Sequence, residues 1–377
     1  MLEKVGFKNF LALRDVELTL EPLTVIVGPN ASGKSSILEG IRRMLQVKTS
    51  ITEFLRSGDD FLDGEENNSL STLLSRNSES EFLSISFTRH GLQSSKFQLD
   101  TKNGSFNYFV DDNQKLTKNS ASGYFVKDVV IPSLPIKYLE FSYREVARPS
   151  YTRNPEPYLE KTGKGLATIL SNMKLLDDEK FLKIEKHLAS IIMNLVKIKI
   201  QRKPVPPAYW FNMPPQKPMQ IPERSTTNSE TGEELLFDFV NAPDVPANRV
   251  SEGTLFALTV LVMAASSEND TVILIDDIER GLHPKAVKDL IRVLREIQAI
   301  TPNLQIIATS HSPYVLHELE PKEVRVTTFD PELGTLVAPL EAYPNFEEWR
   351  DSMTPGEFWS FVGEDWVKDV SLEKSRA

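Results

Sequence analysis

The octet Gly28-Pro29-Asn30-Ala31-Ser32-Gly33-Lys34-Ser35 constrains this chain more than any other stretch. It reads G-x-x-x-x-G-K-S, a loop that cradles phosphates when a strand precedes it and a helix follows. Both flanks are present. Leu23-Thr24-Val25-Ile26-Val27 is a β-branched run suited to a buried strand. Ile37, Leu38, Ile41 and Leu45 recur at helical spacing. In that setting the loop amides and the helix N-terminus face anionic oxygens. Lys34 brings a point charge to the outer phosphates, and Ser35 offers a hydroxyl to Mg²⁺. Gly28, Pro29, Asn30, Ala31, Ser32, Gly33, Lys34, Ser35 and the adjoining Ser36 are therefore the expected phosphate-binding residues, and the fold class is α/β with a P-loop core.

The chain has 377 residues, 40% hydrophobic and 25% charged, enough for two or three domain-sized units with a sizeable core. Its net charge of −10 means it is not globally built to coat nucleic acid, so any such contact must be a local basic patch. It has no cysteine, hence no disulfide and no thiolate metal site. His311 and His317 are six apart, off one helical face, which argues against zinc. The opening Met1-Leu2-Glu3-Lys4-Val5 lacks the apolar region of a signal peptide. The longest apolar stretch, 255–265, is far short of the roughly 20 residues of a membrane span. A cytoplasmic location without membrane contact is expected.

Alternating patterns place strands at Lys4–Phe10 and Val16–Leu20. Residues 46–80 read as polar loop with at most a short helix at Ile51–Arg56. Glu81–His90, Lys96–Leu99 and Ser105–Val110 read as an antiparallel meander turned at Asn103-Gly104, followed by a strand at Ile136–Phe141. Two helical stripes follow, Leu166/Ile169/Leu170/Met173 and Phe181/Ile184/Leu188/Ile191/Ile192. The segment 196–203 switches to period 2, with Lys197, Lys199, Gln201 and Lys203 on one face. That face is either the solvated side of a strand or a basic contact surface. Seven prolines between 204 and 222 make a stiff connector, with Trp210 and Phe211 inside it, and 223–233 reads as flexible loop.

In the second half, Thr271-Val272-Ile273-Leu274-Ile275-Asp276-Asp277 is an apolar run tipped by two acids, the Walker B pattern, which sets carboxylates at a strand's C-terminal end. Asp276 is assigned to Mg²⁺ and Asp277 to the attacking water. Ahead of it, Ser251-Glu252-Gly253-Thr254 opens an apolar helix, with Ser251 at or just before the cap. A capped N-terminus can face an anion. Gln305–Ser310 is a second buried strand, and His311 at its tip is either structural or a sensor of the terminal phosphate. Pro284 suits the first position of the helix carrying Val287, Leu290, Ile291, Leu294 and Ile297. Lys322–Phe329 and Thr335–Leu340 form a hairpin, and Thr354-Pro355-Gly356-Glu357 opens a capped helix. Trp349, Trp359 and Trp366 either pack on the chain's own core or anchor a partner.

In this order, the P-loop, the S-x-G-T stretch, Walker B, Gly281-Leu282-His283-Pro284 and the strand-end His311 resemble ABC-type ATPases. Gly6-Phe7-Lys8-Asn9-Phe10-Leu11-Ala12-Leu13-Arg14-Asp15-Val16, Asp277-Ile278-Glu279-Arg280 and Ala308-Thr309-Ser310-His311-Ser312-Pro313 are similar to the SMC, RecF and OLD (overcoming lysogenisation defect) branch, found in bacterial antiphage systems. The resemblance implies an ABC-type ATPase head with an antiparallel β subdomain and a helical lobe. Its expected parts are a first lobe over 1–145, a helical insert and connector over 146–222, the ATPase core over 223–340 and a Trp-rich acidic tail over 341–377. The resemblance implies ATP and Mg²⁺ as ligands, and a homodimer that sandwiches ATP between Lys34 and Ser35 of one copy and Ser251 and Gly253 of the other. It further implies that Asp276, Asp277 and His311 act at the γ-phosphate with Lys34 beside them, and that Phe10 and Arg14 are expected near adenine.

The chain departs from the family in three ways. Asp277 stands where Glu is usual, one methylene shorter, which implies slow turnover. No Q-loop glutamine can be placed, and 36–250 carries no coiled coil. Only 66 residues follow His311, so the expected Toprim-type nuclease acts as a separate effector chain. Higher assembly and nucleic-acid binding are left open. The rival readings are a RecF-like DNA repair ATPase, a slow ATP-binding scaffold and a transporter ATPase.

Overall fold

The P-loop grows out of a strand buried on both faces. Leu23, Val25, Ile26 and Val27 are fully inaccessible, as the β-branched run requires. The computed structural model describes residues 1–43, 45, 82–89, 95–100, 105–110, 114–118, 134–150, 157–205, 230–350 and 352–376. In chain order its elements begin with β1 (Leu2–Phe10), β2 (Leu13–Thr19), β3 (Leu23–Val27) and α1 (34–43). Next come β4 (Phe82–Arg89), β5 (Ser95–Asp100), β6 (Ser105–Val110), β7 (Gln114–Lys118), β8 (Ile136–Leu139), α2 (Tyr143–Val146), α3 (Leu166–Leu176), α4 (Asp178–Ile191) and β9 (Leu195–Val205). Then follow β10 (Glu230–Phe239), β11 (Ala242–Pro246), α5 (Glu252–Ala265), β12 (Val272–Ile275), α6 (Pro284–Ile300), β13 (Gln305–Ser310) and α7 (Pro313–Leu316). The chain closes with β14 (Val324–Asp330), β15 (Gly334–Pro339), α8 (Phe346–Trp349), α9 (Pro355–Val362) and α10 (Trp366–Arg376).

These elements form two compact units, each assembled from separated stretches. The first comprises Met1–Tyr138, Ser267–Glu279 and Gln298–Ala377. Its central sheet has the order β15-β14-β3-β13-β12-β8. β14, β3, β13 and β12 run parallel, so the ends of β3, β12 and β13 all open on one edge, where ligands of α/β sheets sit. A second sheet, β2-β1-β4-β5-β6-β7, is antiparallel throughout. Its inward residues Val5, Phe7, Phe10, Leu13, Val16 and Leu18 join Ile26, Ile37, Leu38, Ile41, Val272, Leu274 and Ile307 in one core. The buried Gln305 side chain ties the sheets, accepting from Leu2 N–H at 2.9 Å and donating to Leu2 O at 2.8 Å.

The second unit is Leu139–Ser266 with Arg280–Ile297. Both helical stripes are buried on α3 and α4, except Ile192, which ends α4 half-buried as its C-cap. α5 is apolar all round and buried from Gly253 to Ala264. The sheet β11-β10-β9 is antiparallel. Here the loop expected over 223–233 is corrected, since β10 begins at Glu230. Gly232 and three glutamates hide the strand pattern, but pairing with β9 from Val205 to Leu195 overrides local propensity. The basic face of β9 proves largely neutralised. Lys199 pairs with Asp238 and Asp244, and Lys203 with Glu234, so the solvated-strand reading prevails.

In the C-terminal part, Thr354 and Glu357 form the expected capping box. Trp359 and Trp366 are buried, with Trp366 edge-on to Tyr343, which supports packing on the chain's own core. Trp349 is half-buried. β7 and α10 were not read from the sequence. The readings for 46–80 and for Trp210 and Phe211 lie outside the described residues. Among the described residues no helix is long and apolar enough to cross a membrane.

Candidate nucleotide site

Between β3 and α1 the loop uses left-handed or extended glycine geometry at Gly28 (φ 150°) and Gly33 (φ 97°), with Ala31 at φ 62°. Both glycines also lie flush against the hairpin β14–β15. A Cβ on Gly28 would come 2.3 Å from Thr327 O, and one on Gly33 would come 2.0 Å from Thr335 Oγ1. Lys34 is folded onto the loop, donating to Gly28 O at 3.0 Å and Pro29 O at 2.8 Å. Burial lowers its pKa, opposed by the carboxylates of Asp277, Asp276, Glu279 and Glu364. A phosphate arriving here can replace the two carbonyls as the ammonium's partner. Pro29, Asn30, Ala31 and Ser35 are exposed, Ser36 is half-buried at the start of α1, and Ser32 points inward, 1% exposed.

The acid-tipped strand lies where the motif needs it. Ser35 Oγ donates to Asp276 Oδ2 at 3.4 Å. Two hard oxygen donors so disposed suit Mg²⁺, which takes its remaining ligands from water and phosphate. The other carboxylate oxygen of Asp276 accepts from Thr309 Oγ1, and the same hydroxyl accepts from Asp277 N–H at 2.9 Å. One buried threonine on β13 thus aims both acids. Asp277 sits at φ 56°, a region a non-glycine residue rarely adopts. Its Oδ1 approaches His311 Nε2 at 3.9 Å. Glu279 completes the cluster, with Oε1 accepting from His311 N–H at 2.8 Å while Oε2 is buried without a partner.

Ser251 and Gly253 belong to the second unit. Ser251 is the N-cap of α5, exposed, accepting from Thr254 N–H at 3.3 Å. Gly253 is buried, and a Cβ there would meet Gly281 O at 2.1 Å, so the glycine is needed for packing of the Gly281-Leu282 turn. Arg280 holds Glu252 at 2.8 Å.

Sequence reasoning missed Thr309, Glu279, Thr327 and Thr335 as supports of the site. Thr309 and Glu279 stand within the quoted motifs, but nothing in their spacing announces these bonds. The adenine contact is corrected for Phe10. Phe10 is fully buried with its ring 6.0 Å from Phe7, so it offers no face to a base. Arg14 donates to Pro331 O at 3.2 Å.

Residues 23–317 match the family described as "AAA domain, putative AbiEii toxin, Type IV TA system", and the chain belongs to that family. It is 45% identical over 64 residues to the OLD nuclease of Thermus scotoductus, covering 17% of this chain and 12% of that protein. It is 30% identical over 139 residues to the uncharacterized protein MJECL10 of Methanocaldococcus jannaschii, covering 35% of this chain and 62% of that protein. The matches thus span less than two thirds of either relative. An SMC head solved with the C-winged helix domain of ScpA aligns at TM-score 0.52 and 14% identity, covering 90% of this chain and 98% of that one. An SMC head of Pyrococcus furiosus, with an extended coiled coil and bound to the C-terminal domain of ScpA, aligns at TM-score 0.52 and 12% identity, covering 92% and 98%. The fold is that of an ABC-type ATPase head such as the SMC heads, and the family is one of P-loop AAA domains.

Proposed function

We propose that this chain binds ATP with Mg²⁺, hydrolyses it to ADP and phosphate, and works as a nucleotide-driven homodimeric switch. The Ser35–Asp276 hydrogen bond, with Asp277 and His311 beside it, carries the reading. Lys34 would leave the loop carbonyls for the β and γ phosphates, and Ser35 and Asp276 would hold Mg²⁺. The bound ion supplies charge neutralisation for the leaving phosphates. Asp277 orients the water, and His311 donates toward the γ-phosphate. In the dimer, Ser251 and the first turn of α5 from the second copy complete each pocket.

The setting we propose is a bacterial antiphage system in which the ATPase governs a separate effector, a Toprim-type nuclease. The stretch shared with an OLD nuclease supports this, as does a family description that names a toxin system. The short side chain of Asp277 favours one second reading, an ATP-binding scaffold with very slow turnover. Single-turnover phosphate release with Mg²⁺ tests the enzyme claim, with Lys34→Ala as control. No release by the wild-type chain defeats it, and undiminished release by the variant defeats the assignment of the site.

A further inference from the structure

The phosphate loop is tied from behind by one buried hydroxyl. β14 runs parallel to β3 with Val326 level with Val27, which sets Thr327 against the first residue of the loop. Thr327 is fully buried, and its Oγ1 donates to Val27 O at 2.9 Å. That uses its only proton, so the 2.7 Å contact with Ser32 Oγ has Ser32 as donor. The hydroxyl therefore joins the end of the strand to the fifth residue of the loop. Gly28 closes on the same threonine, whose Oγ1 would lie 2.4 Å from a Cβ at that position. Across the hairpin, fully buried Thr335 backs Gly33, and its hydroxyl has no hydrogen-bond partner. Both motif glycines thus rest on threonines from a segment about 300 residues later, in no recognised nucleotide motif.

We propose that Thr327 is a positioning residue for nucleotide binding, holding the P-loop in its phosphate-ready geometry before ligand arrives. The proposal rests on the nucleotide reading above and deepens it. Ligand affinity falls in proportion to the fraction of loops already in the competent shape. A loop with glycine at both Gly28 and Gly33 has other shapes to visit. The Thr327 hydroxyl closes the loop's two arms together and removes that freedom at no expense to the phosphate-facing amides.

The test is binding of a fluorescent ATP analogue with Mg²⁺ to the full chain. Thr327→Val keeps the shape and removes the hydroxyl. Leaving Ser32 and Val27 without that partner should weaken binding about tenfold. Thr327→Ser should restore affinity to within about twofold, which general loss of packing would not predict. Ser32→Ala removes the other end of the bond without touching the sheet, so it serves if the valine variant folds poorly. In the double variant the two losses should be strongly less than additive. Wild-type affinity in both Thr327→Val and Ser32→Ala, or no rescue by serine, overturns the proposal alone. Failure of the wild-type chain to bind overturns the nucleotide reading and this proposal together.

Discussion

Ser35 donates a hydrogen bond to Asp276 across 241 positions of the chain, at 3.4 Å. The pair marks where the ends of β3 and β12 face the same volume, and it defines the proposed Mg²⁺ ligands. Asp276→Asn retains an acceptor but removes the charge that a divalent cation needs. Its hydrolysis rate should fall at least about a hundredfold, the scale of losing one transition-state charge contact. Nucleotide binding in EDTA should match wild type. Full Mg²⁺-dependent hydrolysis in the variant would remove Asp276 from the metal site.

Glu279 fixes His311 through its backbone, at 2.8 Å, and its second carboxylate oxygen is buried without a partner. Glu279→Gln keeps the acceptor, so it should retain most activity. Glu279→Ala releases the strand tip and should lower kcat about tenfold, with a smaller change in the KM for ATP. A rise in KM at constant kcat would assign Glu279 to binding instead.

The motifs made the edge of the sheet that carries the candidate site legible in advance. Strand, glycine loop and helix carry local signals strong enough to override context, and so do the acid tip of β12 and the polar tip of β13. The supports were not legible, because Thr309, Thr327 and Thr335 act through contacts fixed only by sheet order. β10 was missed for a related reason: its glutamates read as solvated loop until β9 pairs with the strand and sets Lys203 against Glu234. Phe10 failed as an adenine contact because a phenylalanine on an alternating strand points inward whenever that face is the core. Ser251 could be placed near a cap, but the cap itself depends on the observed bond to Thr254.

Lys368 on α10 forms an ion pair with Asp330 at the end of β14 and, with the N–H groups of Leu333 and Glu332, lowers the carboxyl pKa to about 2. The ordinary value for aspartate is about 3.9. The pair's contribution is therefore fully present above pH about 4 and is lost as the pH falls through about 2. The lysine, held above its usual value, keeps its charge across the neutral range. Asp330→Asn should flatten the acid limb of thermal stability between those limits and leave the slope near neutrality unaltered. Melts followed by circular dichroism across the acid range check this, and an unchanged acid limb would show that the pair does not hold α10 to the hairpin.

Ser251 has two separable roles. It caps α5, accepting from Thr254 N–H, and in the proposed dimer it meets the γ-phosphate of the second copy. Aspartate caps helices as well as serine, whereas alanine lowers stability by about 1 kcal/mol. Ser251→Asp should therefore melt near wild type, while Ser251→Ala melts lower. The added negative charge, however, would oppose a phosphate at the same place, at close range and with little water between. Monomer binding of ATP should survive in Ser251→Asp, and the ATP-dependent rise in mass by light scattering should disappear. A variant that is stable and still dimerises with ATP would separate the capped helix from the nucleotide and leave the sandwich without its second half.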